Sequence, residues 1–188
     1  VLGQRFGEID TRELRKKIGW VGADLVHRTQ DAAKPVNIVL SGFDASIGLY
    51  RQPLSAELEQ VHRKLAELDL TALAEREFAT LSAGEQMRVL IARATIHDPA
   101  ILILDEPCSH LDLPSREEFL AFLQQLTTRP GAPCIIQVTH RLDDISELLT
   151  ELYGDDAELH LIFAANAEGE KEMIERHFTA NVSSEVDS

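Results

Sequence analysis

The chain has 188 residues, 44% of them hydrophobic, which is enough for one globular core and leaves little for a second. Its formal charge of −14 works against nonspecific binding to nucleic acid or to an anionic membrane, since both present negative charge. No apolar run approaches the roughly 20 residues that span a bilayer, and the first residues carry no basic stretch leading into an apolar one. Cys108 and Cys134 stand in no CxxC or CxxH cluster, a usage that favours reduced thiols over a disulfide or a metal site. The chain begins on Val1 rather than on methionine, which suggests that a segment precedes it in the complete protein.

Gly3 and Gly7 mark turns in the opening stretch, and Asp10 is placed to cap a short helix with Glu13 at its third helical position. Ile18 to Val21 is short, apolar and β-prone, and Gly22-Ala23-Asp24 then has a loop composition. A polar loop from Asp31 to Pro35 leads into the apolar run Val36 to Leu40 and helical pieces interrupted by Gly48 and Pro53. From Ser55 to Leu70 the residues Leu58, Val61, Leu65 and Leu68 recur at helical spacing, so an amphipathic packing helix capped by Ser55 is expected there.

Leu81 to His97 reads as the most informative helix. Ser82 followed by Glu85 forms a capping box, and Met87, Leu90, Ile91 and Ala94 make the apolar stripe. A capped amphipathic helix is ordinary by itself. Its start nonetheless aims free N–H groups and a partial positive charge outward, which suits a phosphate.

His97-Asp98-Pro99 ends that helix, because proline disfavours helical geometry at the preceding residue. Ile101 to Leu104 lacks polar alternation, as does a strand buried on both faces of a parallel sheet. Asp105 and Glu106 follow at its C-terminal edge, where α/β sheets hold ligands. Asp105 suits Mg²⁺, a hard cation that prefers oxygen, and Glu106 suits the polarisation of a water; a turn with a helix-capping Asp is the plain alternative. Pro114 and Ser115 start a helix with Phe119, Phe122, Leu123 and Leu126 as its stripe, and Arg129-Pro130-Gly131 stops it. Cys134 to Thr139 is the next strand and ends on His140, so three ionisable side chains are expected on one rim of the sheet. Beyond it, Asp143 to Leu152 reads as helix, Leu159 to Ala164 as edge strand, Glu168 to Phe178 as a terminal helix, and Thr179 to Ser188 as a disordered acidic tail.

Four of these pieces carry a family resemblance. Leu81-Ser82-Ala83-Gly84-Glu85 is similar to the signature LSGGQ, Ile101 to Glu106 to a Walker B strand, Ser109 to Asp112 to a D-loop, and His140 to a switch histidine. In that order they resemble the nucleotide-binding domain of ABC ATPases, over nearly the whole chain up to about Phe163. Val39-Leu40-Ser41-Gly42-Phe43 and Asp105-Glu106-Pro107-Cys108 look closest to stand-alone bacterial ATP-binding subunits of a metal- or molybdate-importer type.

The resemblance implies an α/β, P-loop NTPase-like fold with a parallel sheet flanked by helices. It implies a partial domain over residues 1–165 with a helical signature subdomain over about 30–97, then a terminal helix and acidic tail over 166–188. ATP and Mg²⁺ are the implied cofactors, with Asp105 orienting Mg²⁺ through water, Glu106 as general base or water-positioner, and His140 on the γ-phosphate and attacking water. Ser82, Ala83, Gly84 and Glu85 would serve ATP on a second subunit in a head-to-tail dimer, with Ser109 and Asp112 at the seam. A membrane permease is the other implied partner, nucleic acid is not expected, and the implied location is the cytoplasmic face of the cell membrane. The activity so implied is ATP hydrolysis driving solute import by the complete protein.

Three departures qualify the resemblance. The phosphate-loop pattern GxxxxGK followed by Ser or Thr occurs nowhere in the 188 residues, and the family would put it upstream of Val1; the chain as it stands is therefore expected not to hydrolyse ATP. Ala23 occupies the position of the Q-loop glutamine, which bears on metal sensing and coupling to the membrane partner. Glu85 replaces the last glutamine of the signature and would repel phosphate unless it turns back into the capping box. The competing expectations are a soluble ABC protein acting on ribosomes or DNA, against which the acidic charge argues, and a non-catalytic interaction module.

Overall fold

Apolar strand residues set side by side in parallel form the centre of the fold. The computed structural model describes residues 14, 16–22, 24–44 and 46–139. Within them run β1 (Ile18–Gly22), α1 (Asp24–Arg28), α2 (Pro35–Leu40), α3 (Ser55–Glu67), α4 (Ala83–Ala94), β2 (Ile101–Asp105), α5 (Leu113–Thr127) and β3 (Cys134–Val138). Single 3₁₀ turns at Ser41–Asp44, Thr71–Leu73 and Phe78–Thr80 join the helices. The strands lie in the order β1-β2-β3, every pairing parallel, with Gly22, Asp105 and Val138 level at the C-terminal rim.

Leu102 and Leu104 of the central strand are fully buried, in one core with Val21, Phe78, Leu90, Ile91 and Phe119. Ile101 and Ile103, on the other face, are only half-buried, so the expectation of a strand covered on both faces holds for one face among the described residues. Helix α4 is the hub, packing on α2, β1 and α5. Two glycines permit this approach: a Cβ on Gly19 would lie 2.8 Å from the Ala94 carbonyl oxygen, and one on Gly42 would lie 2.5 Å from that of Arg93.

The helix over Ser55 to Leu70 is present but differently bounded. Its N-cap is Leu54 rather than Ser55, and the cap is made in reverse, by the Glu57 carboxylate accepting from the Leu54 N–H at 2.8 Å. It ends at Glu67, because Asp69 takes a left-handed conformation (φ 57°). That turn lets Leu70 N–H reach the Leu65 carbonyl at 2.8 Å and Asp69 N–H reach Ala66, a Schellman closure. Asp24, read as the end of a loop, instead opens a helical turn over Asp24–Arg28. The helix opening at Ser82 stops at Ala94 instead of His97. No described helix is long and apolar enough to cross a membrane. The expected elements at Asp10–Glu13 and from Asp143 onward lie outside the described residues.

Candidate functional site

Because the three strands are parallel and in register, the segments that follow them all leave from one rim. Asp105 closes β2 there, half-buried. Glu106, the next residue, has φ 52°, a left-handed conformation uncommon for a non-glycine residue. Its backbone is clamped on both sides. Its N–H donates to the Val138 carbonyl at 2.9 Å, tying the end of β2 to β3, and its carbonyl accepts from the Ser109 hydroxyl at 2.9 Å and the Ser109 N–H at 3.2 Å. Strained backbone held by its surroundings in this way is concentrated at functional sites. Buried Cys108 lies within the same turn, where its carbonyl accepts from Leu111 N–H.

Asp112 ends the turn by capping α5, its carboxylate accepting from the Ser115 N–H at 3.1 Å. Hydrogen bonds from the Ser115 hydroxyl and N–H hold that carboxyl below its ordinary range. The helix after this turn is thus capped by Asp112 and not by Asp105, which closes β2 at the rim.

At the start of α4 the capping box is complete. The Ser82 hydroxyl accepts from Glu85 N–H at 3.2 Å, and the Glu85 carboxylate accepts from Ser82 N–H at 2.8 Å. Arg76 lies 3.9 Å from the other Glu85 oxygen. The Glu85 charge is thus folded back on the helix, which answers the third departure. Ala83 and Gly84, in the first turn, have no intrahelical acceptor for their N–H groups, the arrangement that favours an anion. Ser82 is exposed and Gly84 buried, its Cα facing the Ser115 backbone.

Asp105, Glu106, Ser109 and Asp112 therefore share one strand end and turn, and Ser82, Ala83, Gly84 and Glu85 share one helix start. Ala23 and His140 lie outside the described residues. Two features escaped the reading of the sequence. His27 of α1 and His110 of the turn meet edge to face with ring centroids 5.6 Å apart, joining the segments after β1 and β2. The Arg93 guanidinium is largely withdrawn from water between α4 and the Ser41–Ser46 segment. Neither pairing has a spacing signal; the Ser41-Gly42 step beside an apolar run was the one available hint of a close helix approach.

Comparison with known proteins bears on this arrangement. The family described as ABC transporter matches residues 1–109, more than half of the chain. The chain belongs to the ABC transporter ATP-binding family. The uncharacterized ABC transporter ATP-binding protein YlmA of Bacillus subtilis (strain 168) is 42% identical over 146 residues that make up 77% of this chain and 55% of that protein. The molybdenum import ATP-binding protein ModC of Brucella abortus (strain 2308) is 38% identical over 54% of this chain and 27% of its own length. Among solved structures, an ABC transporter of metal-chelate type in an inward-facing conformation is similar with a TM-score of 0.58 and 32% identity, over 69% of this chain and 51% of that one. The chain thus spans about half the length of relatives such as YlmA. Its parallel sheet flanked by helices is the ABC ATPase form of the P-loop NTPase fold.

Proposed function

We propose that the complete protein is the ATP-hydrolysing subunit of an ABC transporter, powering solute import through a membrane permease as a head-to-tail dimer at the cytoplasmic face of the membrane. The observation that carries this reading is the Asp105–Glu106 pair at the C-terminal rim, with the Glu106 backbone clamped between Val138 and Ser109. Asp105 offers oxygen donors of the kind Mg²⁺ prefers, and a cation that keeps several waters needs only one or two carboxylates. Bound Mg²⁺ and ATP would supply the phosphoryl group and the neutralisation of its charge. Glu106, one residue on, holds the attacking water and takes its proton. His140 assists on the γ-phosphate, as the family resemblance implies.

The start of α4 supports the dimer. Ser82 is exposed, the Ala83 and Gly84 N–H groups are free of intrahelical bonds, and the Glu85 charge is turned away, so this end is suited to the γ-phosphate held by a second subunit. Ser109 and Asp112 then line the seam. The half-exposed Val138 on β3 suits a further strand bearing the phosphate loop, for which the extra length of the relatives leaves room.

The helical segment over residues 30–97 and the segment after Ala23 wall a cleft of about 550 Å³, between Leu25, Asn37, Tyr50 and Arg93. The permease docks there. Glu106→Gln in the complete protein tests the enzymatic reading: ATP binding persists, an ATP-bound dimer accumulates and turnover stops. Unchanged hydrolysis would refute the role of Glu106.

A further inference from the structure

Arg93 sits in the last turn of α4 with most of its guanidinium out of water. It makes two hydrogen bonds, Nε to the Ser41 hydroxyl at 3.2 Å and Nη2 to the Ser46 carbonyl at 2.8 Å. Both acceptors are neutral, and three of its five N–H donors remain. Among the described residues no carboxylate forms an ion pair with it. Loss of hydration lowers its pKa from the usual arginine value, yet a guanidinium stays charged, so among the described residues the cation is held without a counter-charge.

Arg93 lines the cleft described above, and no Asp or Glu is among the described residues lining it. That is notable in a chain with 32 acidic residues against 18 basic ones. Arg28 adds a second cation to the same wall; it meets Asp24 only at 3.5 Å, with both side chains more than half exposed. At the rim, Tyr50 is 82% exposed. Its neighbour Arg51 anchors the loop, bridging Asp44 at 2.9 Å and Glu57 at 2.6 Å. Tyrosine and arginine presented on held backbone are the residue types that carry binding energy at interfaces.

We propose that the permease segment seated in this cleft is acidic and places an Asp or Glu side chain on Arg93, supplying the missing counter-charge. The inference rests on the transporter reading and adds to it the chemistry of the contact.

The test uses the full-length protein reconstituted with its permease in detergent. Each Asp and Glu in the cytoplasmic loops of the permease is changed to Asn or Gln, and complex formation is titrated. One such change is expected to weaken the complex roughly 10-fold or more. Arg93→Gln gives a similar loss, the two losses do not add, and Arg93→Lys retains part of the affinity. If Arg93→Gln fails to fold, the permease series still decides, because it leaves this chain unaltered. Wild-type affinity for every permease variant overturns the inference while the transporter reading stands. Competition by inorganic phosphate without dependence on any loop carboxylate places a free anion on Arg93 and also overturns it. A wild-type protein that binds no permease overturns both.

Discussion

The Glu85 carboxylate accepts the Ser82 backbone N–H at 2.8 Å while the Glu85 N–H donates to the Ser82 hydroxyl at 3.2 Å, so each residue satisfies the other at the start of α4. Ser82→Ala removes one half of this exchange and is expected to cost about 1 kcal/mol of stability. Glu85→Gln keeps an oxygen that can accept the same N–H and is expected to shift stability by less than about 0.5 kcal/mol. Urea midpoints of the two variants check this; a larger loss for Glu85→Gln than for Ser82→Ala would show that charge, not the bond, holds the cap.

A second reciprocal pair sets an acid dependence. Hydrogen bonds from Arg51, and then from the Leu54 N–H, bring the Glu57 carboxyl from its ordinary 4.5 down to about 2. The folded state thus favours the ionised form. Its stabilisation is complete above pH 4.5 and is lost as pH falls from 4.5 toward 2. The Arg51 side chain is 37% exposed, so solvent screening keeps the contribution of the network small. Arg51→Met should lower the urea midpoint measurably at pH 6 and much less at pH 3, where wild type has already lost part of the stabilisation. Parallel losses at both pH values would refute the assignment to Glu57.

What the sequence disclosed and what it hid follow from the range of each interaction. The capping box at Ser82 and Glu85, the apolar strand before Asp105 and the stop after α5 are local, with partners a few residues apart, and were legible. So was the family order of motifs, which located the rim. The cap of α3 was misread because Ser55 looked like the better acceptor, whereas Glu57 reaches back past it to Leu54. Its end was misread because the left-handed turn falls on Asp69, with no glycine to announce it. Contacts between distant segments were not legible: Arg93 with Ser41 and Ser46, or His27 with His110, depend on helix packing that no spacing encodes.

The two glycines Gly42 and Gly84 should respond to the same change in opposite ways. A methyl on Gly42 would sit 2.5 Å from the Arg93 carbonyl oxygen and 2.9 Å from Ile96 Cγ2, and the first of these is backbone that cannot step aside. Gly42→Ala is expected to destabilise by about 1–3 kcal/mol. On Gly84 the nearest neighbour is the Ser115 carbonyl oxygen at 3.5 Å, an ordinary contact. Gly84→Ala should leave stability unchanged or raise it by up to about 1 kcal/mol through its helix preference. Alanine keeps the N–H that is proposed to face a phosphate across the dimer and turns its methyl toward Ser115, so ATP turnover of the complete protein should be unchanged. Melting curves beside turnover rates check both, and a loss of turnover by a stable Gly84→Ala protein would show that the methyl meets something other than Ser115 in the working assembly.

Glu106 combines a chemical role with a backbone it does not favour. At φ 52° a glutamate costs more than an asparagine, whose short side chain tolerates the left-handed region. The hydrogen bonds to Val138 and from Ser109 use only backbone atoms of Glu106, so they persist on substitution. Glu106→Asn is therefore expected to keep the turn and raise stability by roughly 0.5–1 kcal/mol, while hydrolysis by the complete protein falls by about 10²–10⁴-fold, the share a positioned acid–base group supplies. Glu106→Gln, which has no such backbone preference, should lose the same activity without the gain in stability. Measuring unfolding midpoints and turnover for both variants separates the terms: if Asn gains no stability over Gln, the backbone of Glu106 is relaxed and its conformation owes nothing to function.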